Sequence, residues 1–306
     1  MSMEGKERVI LTIIMMLWWG AGNCTAFDST VAQDGSGDYK TITEAVIAAP
    51  KMSTKTYFIH VKKGTYNENV TIPNEKPNIA LVGDEVYGSG FIGISLTIRN
   101  TAGPEGGQAA ALTIAPFKGF TSFYQCSFLG YQDTIFSSDT SFFRECLIFG
   151  TIDFITGSGR AVFQNCRLKA RPPIHGQGVR ILAPGEGSIT SNPGLVLQNC
   201  NISTTRQFNK TEIESFLGWP WKNGGKAVIM SSYISDFIDP RGWSENPQVT
   251  QTYLAEYNNR GPGSDTSKRV EWSKVIDKTE ANKFTVRNFL QGDKWIPKTI
   301  PYDLDL

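Results

Sequence analysis

Histidine is almost missing from this chain: 306 residues hold only His60, in the strand-like run YFIHVKKG, and His175, in PPIHGQG. There is no G-x-S-x-G elbow either, so a serine nucleophile activated by a histidine base has no support. The sequence also lacks H-E-x-x-H, paired C-x-x-C and EF-hand spacings, which leaves no case for a zinc or calcium site, and it has no nucleotide-binding loop. An excess of one charge is absent too. Thirty Lys and Arg against 29 Asp and Glu give a net charge of +1 and no general attraction to nucleic acid or to an anionic membrane. No low-complexity linker divides the chain, so residues 27–306 read as one domain with enough length for a large core.

The N-terminus has a pattern of its own. Lys6 and Arg8 precede an apolar run from Val9 to Trp19, and small residues follow, ending Cys24-Thr25-Ala26. That order predicts a secretory signal peptide over residues 1–26, because the run is shorter than the roughly 18–20 residues a membrane span requires. Export would place Cys126, Cys146, Cys166 and Cys200 in an oxidising compartment, as candidates for two disulfides. Asn69, Asn201 and Asn209 each open an N-x-[ST] sequon and are candidate glycosylation sites.

The cysteines mark a repeat. FYQCSFLG from Phe123, FFRECLIFG from Phe142, VFQNCRLKA from Val162 and LVLQNCNIS from Leu195 place them 20, 20 and 34 residues apart, with apolar and polar residues alternating in each unit. LTIRNTAG from Leu96 and IMSSYISD from Ile229 share the pattern without cysteine. A period this short is too small for a propeller blade and predicts an all-β fold, a single-stranded parallel β-helix whose coils stack strand on strand about 4.8 Å apart. Stacking allows bridges Cys126–Cys146 and Cys166–Cys200, or a ladder of four buried thiols. TITEAVIAAP offers a capping box, Thr41 with Glu44, for a short helix closed by Pro50 that would cover the N-terminal end. TEANKFTVRNFLQGDKWIP reads as a helical opening and a final strand, a tail packed on the coils.

The chemistry that remains is carried by carboxylates. Asp133 lies seven residues after Cys126 and Asp153 seven after Cys146, so the period places both on neighbouring coils. Two carboxylates one strand apart cannot both ionise easily; one keeps a proton and the other is free to act as nucleophile or base. A single aspartate is more often a turn former. The shared phase, a glycine three residues before each and the neighbours Tyr131, Phe136 and Phe154 favour function here. Such a pair could serve an esterase or a retaining glycosidase.

GYQDTIF, GTIDFITG, NTAGPEGGQAAAL, GTYNENV, VAQDGSGDYKTITEAVIAAP, LGWPWK and RGPGSDTSKRVEW together resemble the plant pectinesterases over nearly everything after the leader. The resemblance implies a right-handed β-helix, secretion to the cell wall, and hydrolysis of homogalacturonan methyl esters without metal or organic cofactor. It also implies a monomer, a proteinaceous inhibitor as a second partner, and a form lacking the inhibitor-like pro-region of many relatives. Asp153 would be the nucleophile, Asp133 the general acid and then base, and Gln108 and Gln132 the donors to the oxyanion. Tyr131, Phe154, Trp219 and Trp221 would line the substrate site, with apolar faces for sugar rings at Tyr131, Phe154 and Trp221.

Departures accompany it. Trp219 stands where the family has an arginine that holds the nucleophile, which predicts a poorly oriented Asp153 with a raised pKa and weak or absent turnover. Glu186 replaces another family arginine, SSDTSFF departs from an HSNRQFY-like segment, and about one coil, on the order of 30 residues, is missing between VGDE and VYGSGF. The competing readings are a non-catalytic pectin-binding homologue and a pectin glycosidase.

Overall fold

The computed structural model describes residues 9–12, 27–55, 57–62, 64–68, 70–73, 75–76, 79–82, 91–114, 119–186 and 192–306. The twenty-residue period is one coil. Strand Thr140–Arg144 turns at Glu145 into Leu147–Gly150, which turns again into Ile152–Gly157 before Arg160–Gln164 begins the next coil. Repetition gives, among the described residues, three sheets of eleven, eight and five strands. Among the described residues every strand pairing is parallel except the two made by Val9–Thr12, and the architecture is the right-handed parallel β-helix expected.

Local sequence explains the corners. The residue before each inward cysteine, Gln125, Glu145, Asn165 and Asn199, has a left-handed backbone with φ of 53, 55, 57 and 53°. Its N–H donates to a carbonyl of the next coil, as Gln125 does to Arg144 (3.0 Å) and Asn165 to Gln198 (3.1 Å). Polar residues, asparagine above all, tolerate this conformation, so the recurring Q/E/N-C pair is a coil corner written in sequence.

Equivalent side chains form columns inside the coils. Phe123, Phe143 and Phe163 stack with centroids 5.0 and 4.3 Å apart, and Phe128 meets Phe123 edge-on at 5.2 Å. All four are fully buried, and each aromatic pair adds about 0.5–1.5 kcal/mol beyond its buried area. Gly93 ends the column, since a Cβ there would lie 2.7 Å from the Phe123 ring.

The cysteines form a second column, and the two disulfides expected from the sequence are not made. Cys126, Cys146, Cys166 and Cys200 are buried free thiols, with sulfurs directed at the carbonyls of Gly93 (3.3 Å), Phe123 (3.6 Å), Phe143 (3.5 Å) and Phe163 (3.2 Å). Parallel stacking explains this. Side chains on adjacent strands project in parallel, about 4.8 Å apart, whereas a bridge needs Cβ atoms converging to about 3.8 Å.

The N-terminal end is covered. Helix Ile42–Ala48 carries the expected capping box, and Ile42, Ala45 and Val46 are buried. The Glu68 carboxylate accepts from the N–H groups of Ile42 and Thr43 (2.9 and 2.8 Å), while Lys76 donates to the carbonyls of Ile47 and Ala49 at the other end. Both charges complement the helix dipole.

The C-terminal tail packs on the outer face of the eleven-stranded sheet, where Phe284, Val286, Phe289, Leu290, Trp295 and Ile296 cover Phe142, Val162, Val196 and Val228. The final strand expected there is instead a helical turn, Val286–Leu290, opened by the Thr285 hydroxyl accepting from Asn288 N–H. Farther on, the tail bonds to a column of side chains. Arg144 pairs with Asp303 (2.7 Å), Gln164 exchanges two bonds with the Asp303 backbone (both 2.8 Å), and Gln198 donates to the Asp305 carbonyl (2.7 Å).

One coil is short. Ile79–Val82 pairs directly with Phe91–Ile94 in the eleven-stranded sheet, and only residues 83–90 separate them. In the eight-stranded sheet, Val9–Thr12 fills the corresponding place between Thr65–Asn67 and Thr97–Asn100, antiparallel to both. Apart from the backbone of these four residues, the expected signal peptide lies outside the described residues, as does Asn69. Asn201 and Asn209 are exposed.

Candidate active site

The five-stranded sheet carries the site along one flank, each successive coil adding a group. Register sets the aspartates together: Ile135 pairs with Ile155, and two residues back Asp133 sits beside Asp153, about one strand spacing away. Both have left-handed backbones, φ 57 and 51°. The turn before Asp133 is fixed by the buried Thr134 hydroxyl, which donates to the carbonyls of Phe149 (2.9 Å) and Tyr131 (3.2 Å). Asp133 N–H donates to Ile152 O (3.0 Å). Asp153 lies in a bulge, since between the paired ends two residues, Asp153 and Phe154, face the single residue Ile181. The extra residue re-aims the side chain out of the regular alternation.

The glutamines lie on the other side of Asp133. Gln108 and Gln132 are bridged neighbours on adjacent coils; Gln108 is exposed and Gln132 half-buried. Trp219 approaches from the opposite direction, and its indole Nε1 donates to Asp153 Oδ1 at 2.8 Å. Gly218 lets the chain come this close, because a Cβ there would stand 2.2 Å from the Leu182 carbonyl oxygen. The poor orientation expected for Asp153 is therefore corrected: an indole N–H, though uncharged, holds the carboxylate.

Of the expected apolar faces, two line the flank. Tyr131 is half-buried, with the Arg171 guanidinium 4.1 Å from its ring centroid. Trp221 is half-buried in a loop held by Asn246, whose amide donates to the carbonyls of Pro220 (2.9 Å) and Trp221 (3.4 Å). Phe154 is a correction. It is completely buried, because the bulge that turns Asp153 outward sends the next side chain into the core, and it offers no face to a ligand.

Burial dominates the electrostatics. It pushes the Asp133 carboxyl up to about 6. Asp153, only 7% exposed, is pushed up to about 7 by burial and then by the Asp133 charge, against the opposing effects of the Trp219 N–H and of Arg180. The pair titrates as a unit and holds one proton over the intermediate range. Among the described residues Trp219 is the one side chain that donates to either carboxylate; its bond favours the ionised form of Asp153 and opposes the burial that otherwise raises this carboxyl above Asp133.

Arg180 went unnoticed in the sequence. It lies on Val179–Pro184, paired with Ile152 next to Asp153, but the longer connection before it, residues 171–178, breaks the twenty-residue count. A count backwards from LGWPWK to the preceding strand would have found it.

A parallel β-helix bearing a carboxylate pair and two glutamines on one flank defines the class. The pectinesterase family model matches residues 28–87 and 85–293, its two pieces meeting where the short coil lies, and the chain belongs to the pectinesterase family. It is 38% identical to Probable pectinesterase 30 of Arabidopsis thaliana, over 93% of this chain and 63% of that protein. It is 41% identical to Probable pectinesterase/pectinesterase inhibitor 32 of the same plant, over 90% and 59%. The chain thus spans about three-fifths of the length of these relatives. Among solved structures, pectin methylesterase from carrot superposes with a TM-score of 0.86 at 36% identity, covering 94% of this chain and all of that one.

Proposed function

We propose that this chain hydrolyses the methyl esters of homogalacturonan and releases methanol. The observation that carries the reading is the in-phase pair Asp133 and Asp153 with the Trp219 N–H on Asp153. In the form of the pair that carries one proton on Asp133, ionised Asp153, held by the Trp219 N–H, attacks the ester carbonyl; the amides of Gln108 and Gln132 donate to the developing oxyanion; and Asp133 gives its proton to the departing methoxide. Asp133, now a carboxylate, takes a proton from water, which attacks the acyl intermediate and frees Asp153. Tyr131 and Trp221 provide ring faces for galacturonate units on either side. A pectin methylesterase solved in complex with a hexasaccharide, 26% identical with a TM-score of 0.73, supports a carbohydrate chain as the substrate. Secretion to the cell wall, action as a monomer and restraint by a proteinaceous inhibitor belong to the same proposal.

The competing reading, a pectin-binding protein without turnover, rested on a nucleophile left unsupported, and the 2.8 Å indole bond removes that premise. Purified protein with methylated pectin tests both. Methanol without new reducing ends is the expected result; new reducing ends would mean a glycosidase, and binding with neither product would mean loss of catalysis.

A further inference from the structure

Asp153 has an N–H donor but no cation in direct contact, and Arg180 stands one group farther away. Its guanidinium carbon is 5.3 Å from the Trp219 ring centroid and 6.0 Å from that of Phe216. One nitrogen, Nη2, donates to Ser244 Oγ at 3.2 Å. Nε is buried without a hydrogen-bond partner among the described residues, and no carboxylate there forms an ion pair with Arg180. The residue as a whole is half-buried, but a guanidinium N–H buried without a partner is costly unless something uses the charge. A cation near an indole draws on the ring's electron density and makes its N–H a stronger donor.

Resting on the esterase reading above, we propose that Arg180 is a positioning residue for the reaction, acting through the Trp219 indole to hold Asp153 ionised and in place. Cation, indole and carboxylate then form a relay in which the positive charge sits one coil beyond the nucleophile and the neutral ring carries its effect inward. The charged groups facing Asp153 are Asp133 on the preceding coil and Arg180 on the following one. Arg241, which also lies over Phe216 at 5.0 Å, is tied to Asp239 and Glu214.

The test separates this relay from simple packing and from the esterase reading itself. Asp153 is titrated by carboxyl carbon-13 NMR in an Asp133→Asn background, which removes the coupled partner and needs no turnover. Arg180→Met should move the Asp153 midpoint upward by about one pH unit, as loss of a nearby opposite charge does, and Arg180→Lys should restore most of the difference. The acid limb of kcat/KM for methanol release, measured with Asp133 intact, should move the same way. An unchanged Asp153 midpoint in a folded Arg180→Met protein overturns the proposal. If that variant does not fold, Ser244→Ala frees the guanidinium from its anchor and should give a smaller displacement of the same sign; no displacement again overturns it. A midpoint that moves, with no methanol released by the parent protein that keeps Asp133, upholds the relay and sinks the esterase reading.

Discussion

Replacing Trp219 by phenylalanine removes one hydrogen-bond donor while keeping an aromatic ring between Arg180 and Asp153. The Nε1–Oδ1 bond of 2.8 Å is the one side-chain donor to Asp153 among the described residues, and a hydrogen bond to a charged group contributes about 1.5–3 kcal/mol. Its loss acts on the ionised form. Asp153, already pushed up to about 7 by burial and by Asp133, should rise further, and methanol release near pH 6 should fall roughly 10- to 150-fold. Above about pH 8 the deficit should narrow, because ionisation is then restored by pH and only orientation is lost. Trp219→Arg should do the opposite, adding a charge-assisted fork that moves the acid limb to lower pH and raises the rate there. Initial rates on methylated pectin from pH 5 to 9, with circular dichroism to check the fold, provide the assay. Rates for Trp219→Phe within twofold of the parent across that range would refute the reasoning, since the bond would then carry no part of catalysis.

Asp153→Asn should abolish methanol release yet stabilise the protein in alkali. The folded state raises Asp153 from 3.8 to about 7 and so binds its proton more tightly than the unfolded chain. Unfolding free energy therefore falls as pH rises from about 4 to 7, by up to about 4 kcal/mol, and the amide, which still accepts from Trp219, escapes that loss. Thermal melts at pH 4 and pH 8 should show the variant's advantage only at the higher pH, and an equal advantage at both would contradict the burial account. Gln132→Ala should lower kcat about 10²- to 10³-fold with KM little changed if its amide serves the oxyanion; an effect confined to KM would assign it to ground-state binding. Alkylation in denaturant without reductant, followed by peptide mass spectrometry, should label Cys126, Cys146, Cys166 and Cys200 in full, whereas a cross-linked peptide pair would disprove the thiol ladder.

The sequence makes the solenoid legible because its period is carried by residues with one job each. A left-handed corner takes Gln, Glu or Asn, the next position points inward and takes Cys, and seven residues later the same phase brings Asp133 and Asp153 onto adjacent coils. Counting suffices where the period is constant. It failed where the chain departs from regularity. Phe154, which the family resemblance places against the substrate, is instead buried in the core beside the bulge at Asp153. The disulfides were misjudged because stacking distance alone suits a bridge and only side-chain direction forbids it. Trp219 was correctly singled out by its position. Its hydrogen bond could not be foreseen, because whether an indole reaches a carboxylate depends on the close approach that Gly218 allows.

The tail bonds to Arg144, Gln164 and Gln198, which are paired neighbours on three successive coils. Such a strap works as a tie rod: it runs across the rungs and fixes pitch, which strand pairing alone leaves free to flex by small amounts at every step. The two aspartates come from different turns of the same spring, so their separation is itself a measure of pitch. A contact at Asp303 or Asp305, more than a hundred residues from either carboxylate in sequence, thereby helps to set the gauge between Asp133 and Asp153. Weakening it would detune the chemistry before it unfolded the protein.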